Sequence, residues 1–143
     1  GLEIKVVVGP NNLHLDSLKK ASHKSKHNTF ILQNVSNMSE IMAEADIAVS
    51  SAGSTCWELA FLGVPSILTV TADNQREIAF ALDKRGLAIN LGEHDKLTSE
   101  KILTTVKKLI INNLEFSEMS NLGRKLIDGN GKFKVIAEMK IIE

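Results

Sequence analysis

The chain has 143 residues, enough for one compact domain and too few for two of ordinary size. Hydrophobic residues make up 43% and charged residues 24%, the balance of a folded globular protein rather than a disordered one. Seventeen Lys and Arg offset seventeen Asp and Glu, so the clustered basic excess expected of a nucleic-acid-binding protein is missing.

Short β-branched runs alternate with longer helical stretches. Ile4–Val8 reads as a buried strand, ended by Gly9-Pro10-Asn11-Asn12. Leu13 to about Ser25 reads as a helix with Leu15 and Leu18 on one face and Lys19, Lys20 and Lys24 on the other. Thr29–Gln33 is a second strand, and Ser36 or Asn37 can cap a short helix over Met38–Ala45. Asp46–Ser50 is a third strand, followed by a helix over Ser54–Leu62 that stops at Gly63. Pro65–Thr71 is a fourth strand, Asn74–Arg85 a helix ending at Gly86, and Leu87–Leu91 a fifth strand ending at Gly92. The rhythm then changes to helices alone. Thr98 caps one with the apolar stripe Ile102, Leu103, Val106, Leu109 and Ile110; two more follow over Leu114–Ile127 and Lys132–Ile141, separated by Gly129 and Gly131. The expected fold is α/β: one domain over residues 1–143, with a Rossmann-like doubly wound parallel sheet of about five strands, helices on both faces and a C-terminal helical segment. Gly1-Leu2-Glu3 leads straight into Ile4–Val8, which points to a piece of a longer protein. No apolar run reaches the roughly 18 residues needed to cross a bilayer. The single cysteine, Cys56, cannot form an internal disulfide, so a cytoplasmic, reducing setting is expected.

In such sheets ligands sit beyond the carboxyl ends of the strands. Four loops follow strands there: 9–12, 34–38, 50–55 and 71–75. The stretch Ser50-Ser51-Ala52-Gly53-Ser54-Thr55 is small and hydroxyl-rich and opens a helix, whose N-terminal N–H groups and positive dipole end suit a phosphate. Thr55-x-x-Glu58 is equally a capping box, in which Glu58 serves only the helix start. Asp73, Asn74 and Gln75 offer carbonyl and amide groups that could read sugar hydroxyls, or Asp73 could simply cap the next helix. The loop at 9–12 reads as a turn, and the one at 34–38 offers only its backbone. His23 and His27 have the i, i+4 spacing of a helical metal pair without a third ligand. Cys56 lacks a His or CxxC partner and reads as a packed thiol. His94 reads as solvated, and Trp57 with Phe61 as a core pair. No Ser/His/Asp set, carboxylate cluster or cofactor motif is present. No metal or cofactor is therefore expected, and no catalytic residue can be named.

The stretch Ala45-Asp46-Ile47-Ala48-Val49-Ser50-Ser51-Ala52-Gly53-Ser54-Thr55-Cys56-Trp57-Glu58-Leu59-Ala60-Phe61-Leu62-Gly63-Val64-Pro65 resembles the nucleotide-sugar signature of GT-B glycosyltransferases, among them the peptidoglycan N-acetylglucosaminyltransferases. Five further segments are closer to the spore-coat polysaccharide biosynthesis proteins and the UDP-sugar hydrolases of pseudaminic acid synthesis. They are Val8-Gly9-Pro10-Asn11-Asn12, Asn34-Val35-Ser36-Asn37-Met38, Ala72-Asp73-Asn74-Gln75, Ile89-Asn90-Leu91-Gly92 and Leu126-Ile127-Asp128-Gly129-Asn130-Gly131.

The resemblance implies the UDP-sugar-binding, C-terminal half of a larger GT-B protein, with the N-terminal half as its partner. The activity it implies first is UDP-sugar hydrolysis in surface polysaccharide or nonulosonic acid synthesis. The alternatives are a donor domain transferring N-acetylhexosamine and a non-catalytic nucleotide-binding module. By the same resemblance Glu58 meets the ribose, Ser51, Gly53, Ser54 and Thr55 line the phosphates, Asp73, Asn74 and Gln75 meet the sugar, and the Val35 backbone pairs with uracil. The family's half begins one βα unit earlier, with a Gly-Gly-Ser type loop, and its strand order resembles 3-2-1-4-5-6. Without that unit, the chain's first and third strands are expected to pair directly, giving 2-1-3-4-5.

Overall fold

The computed structural model describes residues 1–140, which form two compact units, Gly1–Met38 and the part from Ser39 onward. The first unit is a βαβ element. Strand β1 (Glu3–Val8) pairs in parallel with β2 (Asn28–Gln33), from Glu3 opposite Asn28 to Val8 opposite Gln33. Between them lies α1 (Leu15–His23), shorter than expected. Asn12 Oδ1 accepts the His14 N–H at 2.8 Å, so the Gly9–Asn12 turn consumes the first expected helical residues and leaves Leu13 93% exposed. Because α1 ends at His23, His27 is not on it; His27 Nδ1 instead accepts the Leu2 N–H, and the metal-pair spacing loses its helix. Asn34, just past β2, takes a left-handed φ of 52°, which asparagine tolerates better than most residues.

The second unit opens with the end of α2 (Met38–Ala43), then β3 (Ala48–Ser51), α3 (Thr55–Leu62) and β4 (Ser66–Val70). A 3-10 turn over Asp73–Gln75 leads into α4 (Arg76–Lys84), and β5 (Ile89–Glu93) completes a parallel sheet ordered β3-β4-β5. Ile67 and Leu68 on central β4 face opposite sides and are both fully buried. Leu68 packs with Leu82 of α4 and with Leu87, whereas Ile67 packs with Leu109 and Met119. The sheet therefore has apolar cover on both faces, as parallel sheets require. Each such Leu or Ile contributes about 1.5–3 kcal/mol of burial.

Helices α5 (Ser99–Ile111), α6 (Asn113–Leu126) and α7 (Gly131–Lys140) form the C-terminal segment; the expected end of the last helix, Ile141, lies outside the described residues. Thr98 caps α5 as expected, accepting the Lys101 N–H at 3.2 Å. Gly63 ends α3 in the left-handed conformation, and Arg124 Nε donates to the Leu62 carbonyl there. Helix α6 crosses α3 closely, since a Cβ on Gly123 would lie 2.6 Å from the Ala60 carbonyl oxygen.

The five expected strands are all present and parallel, β1-β2 in the first unit and β3-β4-β5 in the second. Two expectations change. Trp57 and Phe61, expected as a core pair, are 39% and 48% exposed; α3 buries Cys56, Leu59 and Ala60 instead. Finally, β5 does not stop at Gly92. Between the pairs Leu68–Asn90 and Val70–Glu93, β5 advances three residues while β4 advances two. The extra residue is absorbed at Gly92, whose φ of 84° only glycine adopts freely, and Asn90 Oδ1 accepts the Gly92 N–H at 2.8 Å. The bulge carries the strand on to Glu93.

Candidate functional site

The turn from β3 into α3 is tied to the sheet by the buried Ala52, whose N–H donates to the Thr69 carbonyl at 3.0 Å. Gly53 and Ser54 follow. Ser54 occupies the cap position of α3 with no side-chain cap bond, and Thr55 is already helical. The Thr55-x-x-Glu58 capping box is therefore not formed: Thr55 sits one residue too late, and Glu58 is exposed in the first turn. The N–H groups of Cys56 and Trp57 close turns onto the Gly53 and Ser54 carbonyls, at 3.2 and 3.0 Å. Those of Ser54 and Thr55 take no backbone acceptor. Cys56 is buried and its Sγ–H donates to the Gly53 carbonyl; burial pushes its thiol above the ordinary value, only partly opposed by backbone N–H bonds. It is a packing group, as its sequence context suggests.

The loop after β4 closes on itself. Gln75 Oε1 accepts both the backbone N–H and the hydroxyl of Thr71, at 2.9 and 3.0 Å. The backbone N–H can only donate, which fixes the amide orientation and leaves the Gln75 NH2 free to donate elsewhere. That NH2 lies beside the β3–α3 turn: a Cβ placed on Gly53 would be 3.9 Å from Gln75 Nε2 and 3.8 Å from Ser51 Oγ. Ser51, Gly53 and Gln75 thus converge, next to the free N–H groups of Ser54 and Thr55. Such an arrangement offers donors to an anionic or hydroxylated ligand.

Asp73 and Asn74 are exposed on the same loop. Asp73 does not cap α4; it pairs with Arg76 at 3.0 Å. Val35 is half-buried in the Gly1–Met38 unit, and its N–H and carbonyl take no backbone partner. Among the described residues no group of three or more His, Cys, Asp or Glu side chains could hold a metal ion, and no helix is long and apolar enough to cross a membrane.

A cavity of about 290 Å3 opens at the ends of β4 and β5, between Thr71, Asp73, Arg76, Glu93 and His94. Sequence reasoning missed Arg76 and Glu93 here; His94 is exposed, as expected, and also lies 3.3 Å from the Val70 carbonyl through Nδ1. The signal was Gly92, read as a strand end when it is a bulge.

The profile described as the glycosyltransferase family 28 C-terminal domain matches residues 1–134. The chain belongs to that family. The family 28 domain is 31% identical over 131 residues to the UDP-N-acetylglucosamine–N-acetylmuramyl-(pentapeptide) pyrophosphoryl-undecaprenol N-acetylglucosamine transferase of Leuconostoc citreum, covering 87% of this chain and 35% of the relative. The transferase of the same name from Desulforamulus reducens is 36% identical over 104 residues, covering 69% of this chain and 28% of the relative. The spore coat polysaccharide biosynthesis protein SpsG of Bacillus subtilis is 24% identical over 131 residues, 92% of this chain and 38% of the relative. The family 28 domain thus spans about a third of the length of these curated relatives. Transferases and a spore-coat protein are what it resembles, so the transferase reading is supported over the hydrolase reading.

Proposed function

We propose that this chain is the donor-binding domain of a glycosyltransferase that uses a UDP-N-acetylhexosamine. The observation that carries this reading is the convergence of Ser51, Gly53 and the Gln75 NH2 beside the unbonded N–H groups at the start of α3, in a family 28 C-terminal domain. Relatives named for UDP-N-acetylglucosamine support the choice of donor. Ser51, Gly53, Ser54 and Thr55 receive the diphosphate, Glu58 accepts from the ribose hydroxyls, and Asp73, Asn74 and Gln75 meet the sugar.

In transfer, an acceptor hydroxyl forms a bond to the anomeric carbon while the bond from that carbon to the β-phosphate oxygen breaks, its electron pair leaving with UDP. Charge grows on the leaving diphosphate, where the N-terminus of α3 stabilises it. The base that takes the acceptor proton is assigned to a domain outside this chain.

Titration of the chain with UDP, UDP-N-acetylglucosamine and ADP, followed by calorimetry or amide NMR shifts, tests the reading. Uridine-selective binding at millimolar or tighter concentration is expected. Absence of UDP binding, or equal binding of ADP, overturns it.

A further inference from the structure

The residues at the ends of β4 and β5 have no part in the donor reading, yet they grip the loop that does. Loop 71–75 leaves β4 after Val70 and enters α4 at Arg76, so these two residues are its feet. Both are held from β5 and the turn after it. Arg76 Nε donates to Glu93 Oε1 at 3.0 Å. His94 Nδ1 lies 3.3 Å from the Val70 carbonyl; a carbonyl can only accept, so Nδ1 carries the proton. Arg76 also reaches Asp73, but the Asp73 side chain is 95% exposed against 31% for Glu93, so the bond to Glu93 is the less screened of the two. The bonds between Gln75 and Thr71 close the loop internally without attaching it to the sheet.

We infer that Glu93 and His94 are positioning residues for the donor loop: they pin its two feet, so that Asn74 and the Gln75 NH2 stay aimed at the donor sugar. The inference rests on the nucleotide-sugar reading above. Its geometric origin is the Gly92 bulge. Without the extra residue, the chain beyond Leu91 would be one position out of register, and Glu93 would no longer lie opposite Val70. Arg76 gains a partner on the sheet by this route, although its own element begins only after the loop.

The test compares the parent chain with Glu93→Ala, His94→Ala, the double variant and Glu93→Gln, which keeps an acceptor for Arg76. Affinity for UDP, which lacks the sugar, should stay within about twofold. The ratio of UDP-N-acetylglucosamine affinity to UDP affinity should fall by about tenfold or more in the double variant, and Glu93→Gln should recover most of it. Hydrogen exchange at the Thr71 amide should quicken by about tenfold in the double variant as the loop loosens. A folded double variant with unchanged ratio and unchanged exchange overturns the inference. So does a loss of UDP affinity in step with the sugar, which marks general damage. A parent chain that binds no UDP overturns the nucleotide-sugar reading, and the exchange measurement then still decides whether Glu93 and His94 hold the loop.

Discussion

Replacing Glu58 by alanine separates two roles that its position near the start of α3 allows. A capping-box glutamate would stabilise the fold, and losing a cap costs about 0.5–2 kcal/mol. The structure shows no such cap, and Glu58 is exposed. What remains for stability is its attraction to the helix dipole, about 0.3–1 kcal/mol, partly offset by alanine's better helix propensity. The net change should be under about 0.5 kcal/mol, a Tm shift of roughly 1–2 °C for a domain near this size. Binding is different. If the carboxylate accepts charge-assisted hydrogen bonds from the ribose, its removal costs about 1.5–3 kcal/mol, or about 10- to 150-fold in the Kd for UDP. Calorimetric titration with UDP and a thermal melt on the same samples measure both quantities. Glu58→Gln should fall between parent and alanine, because a neutral acceptor keeps part of the bond. A Kd within twofold of the parent, together with a Tm lowered by several degrees, would refute the argument.

Gln75→Glu keeps the acceptor for Thr71 but replaces the NH2 assigned to the sugar by a carboxylate oxygen; UDP-N-acetylglucosamine affinity should fall by about tenfold or more while the melt stays near that of the parent, and calorimetry decides. Gly123→Ala places a methyl against the Ala60 backbone, which cannot yield as a side chain would, and should destabilise by about 1–3 kcal/mol in a denaturant titration. Cys56 should resist alkylation at neutral pH in the folded chain and react once denatured, because burial raises its thiol pKa; mass spectrometry after iodoacetamide reads this. UDP affinity should be unchanged by a chelator, since the assigned contacts are hydrogen-bond donors and one carboxylate; a collapse in EDTA would contradict that assignment.

The alternation of elements was legible because it is a local property. Gly63 and Thr98 mark helix ends through their own conformational and hydrogen-bonding preferences, and both act where the sequence places them. The placement of loops 50–55 and 71–75 at one end of the sheet was legible for the same reason: parallel connectivity puts the ends of β3 and β4 on one side, whatever the details. Four matters needed the tertiary structure. The capping box was excluded only by where α3 begins, a shift of one residue that no spacing rule resolves. The direction of the Gln75 amide depends on Thr71, four residues away, and its relevance depends on Gly53, on a different connection. The roles of Arg76, Glu93 and His94 follow from a bulge at Gly92, and glycine in a sequence signals a strand end as readily as a kink within one. Strand pairing was the least legible of all. Apolar residues at Ile4–Val8 and Ile47–Val49 record a preference for burial, but hydrogen bonding between strands is a contact between distant segments, and it joins β1 to β2 within the first unit and β3 to β4 within the second. Local sequence determines which elements form; which elements meet is decided by the partners available to them in three dimensions.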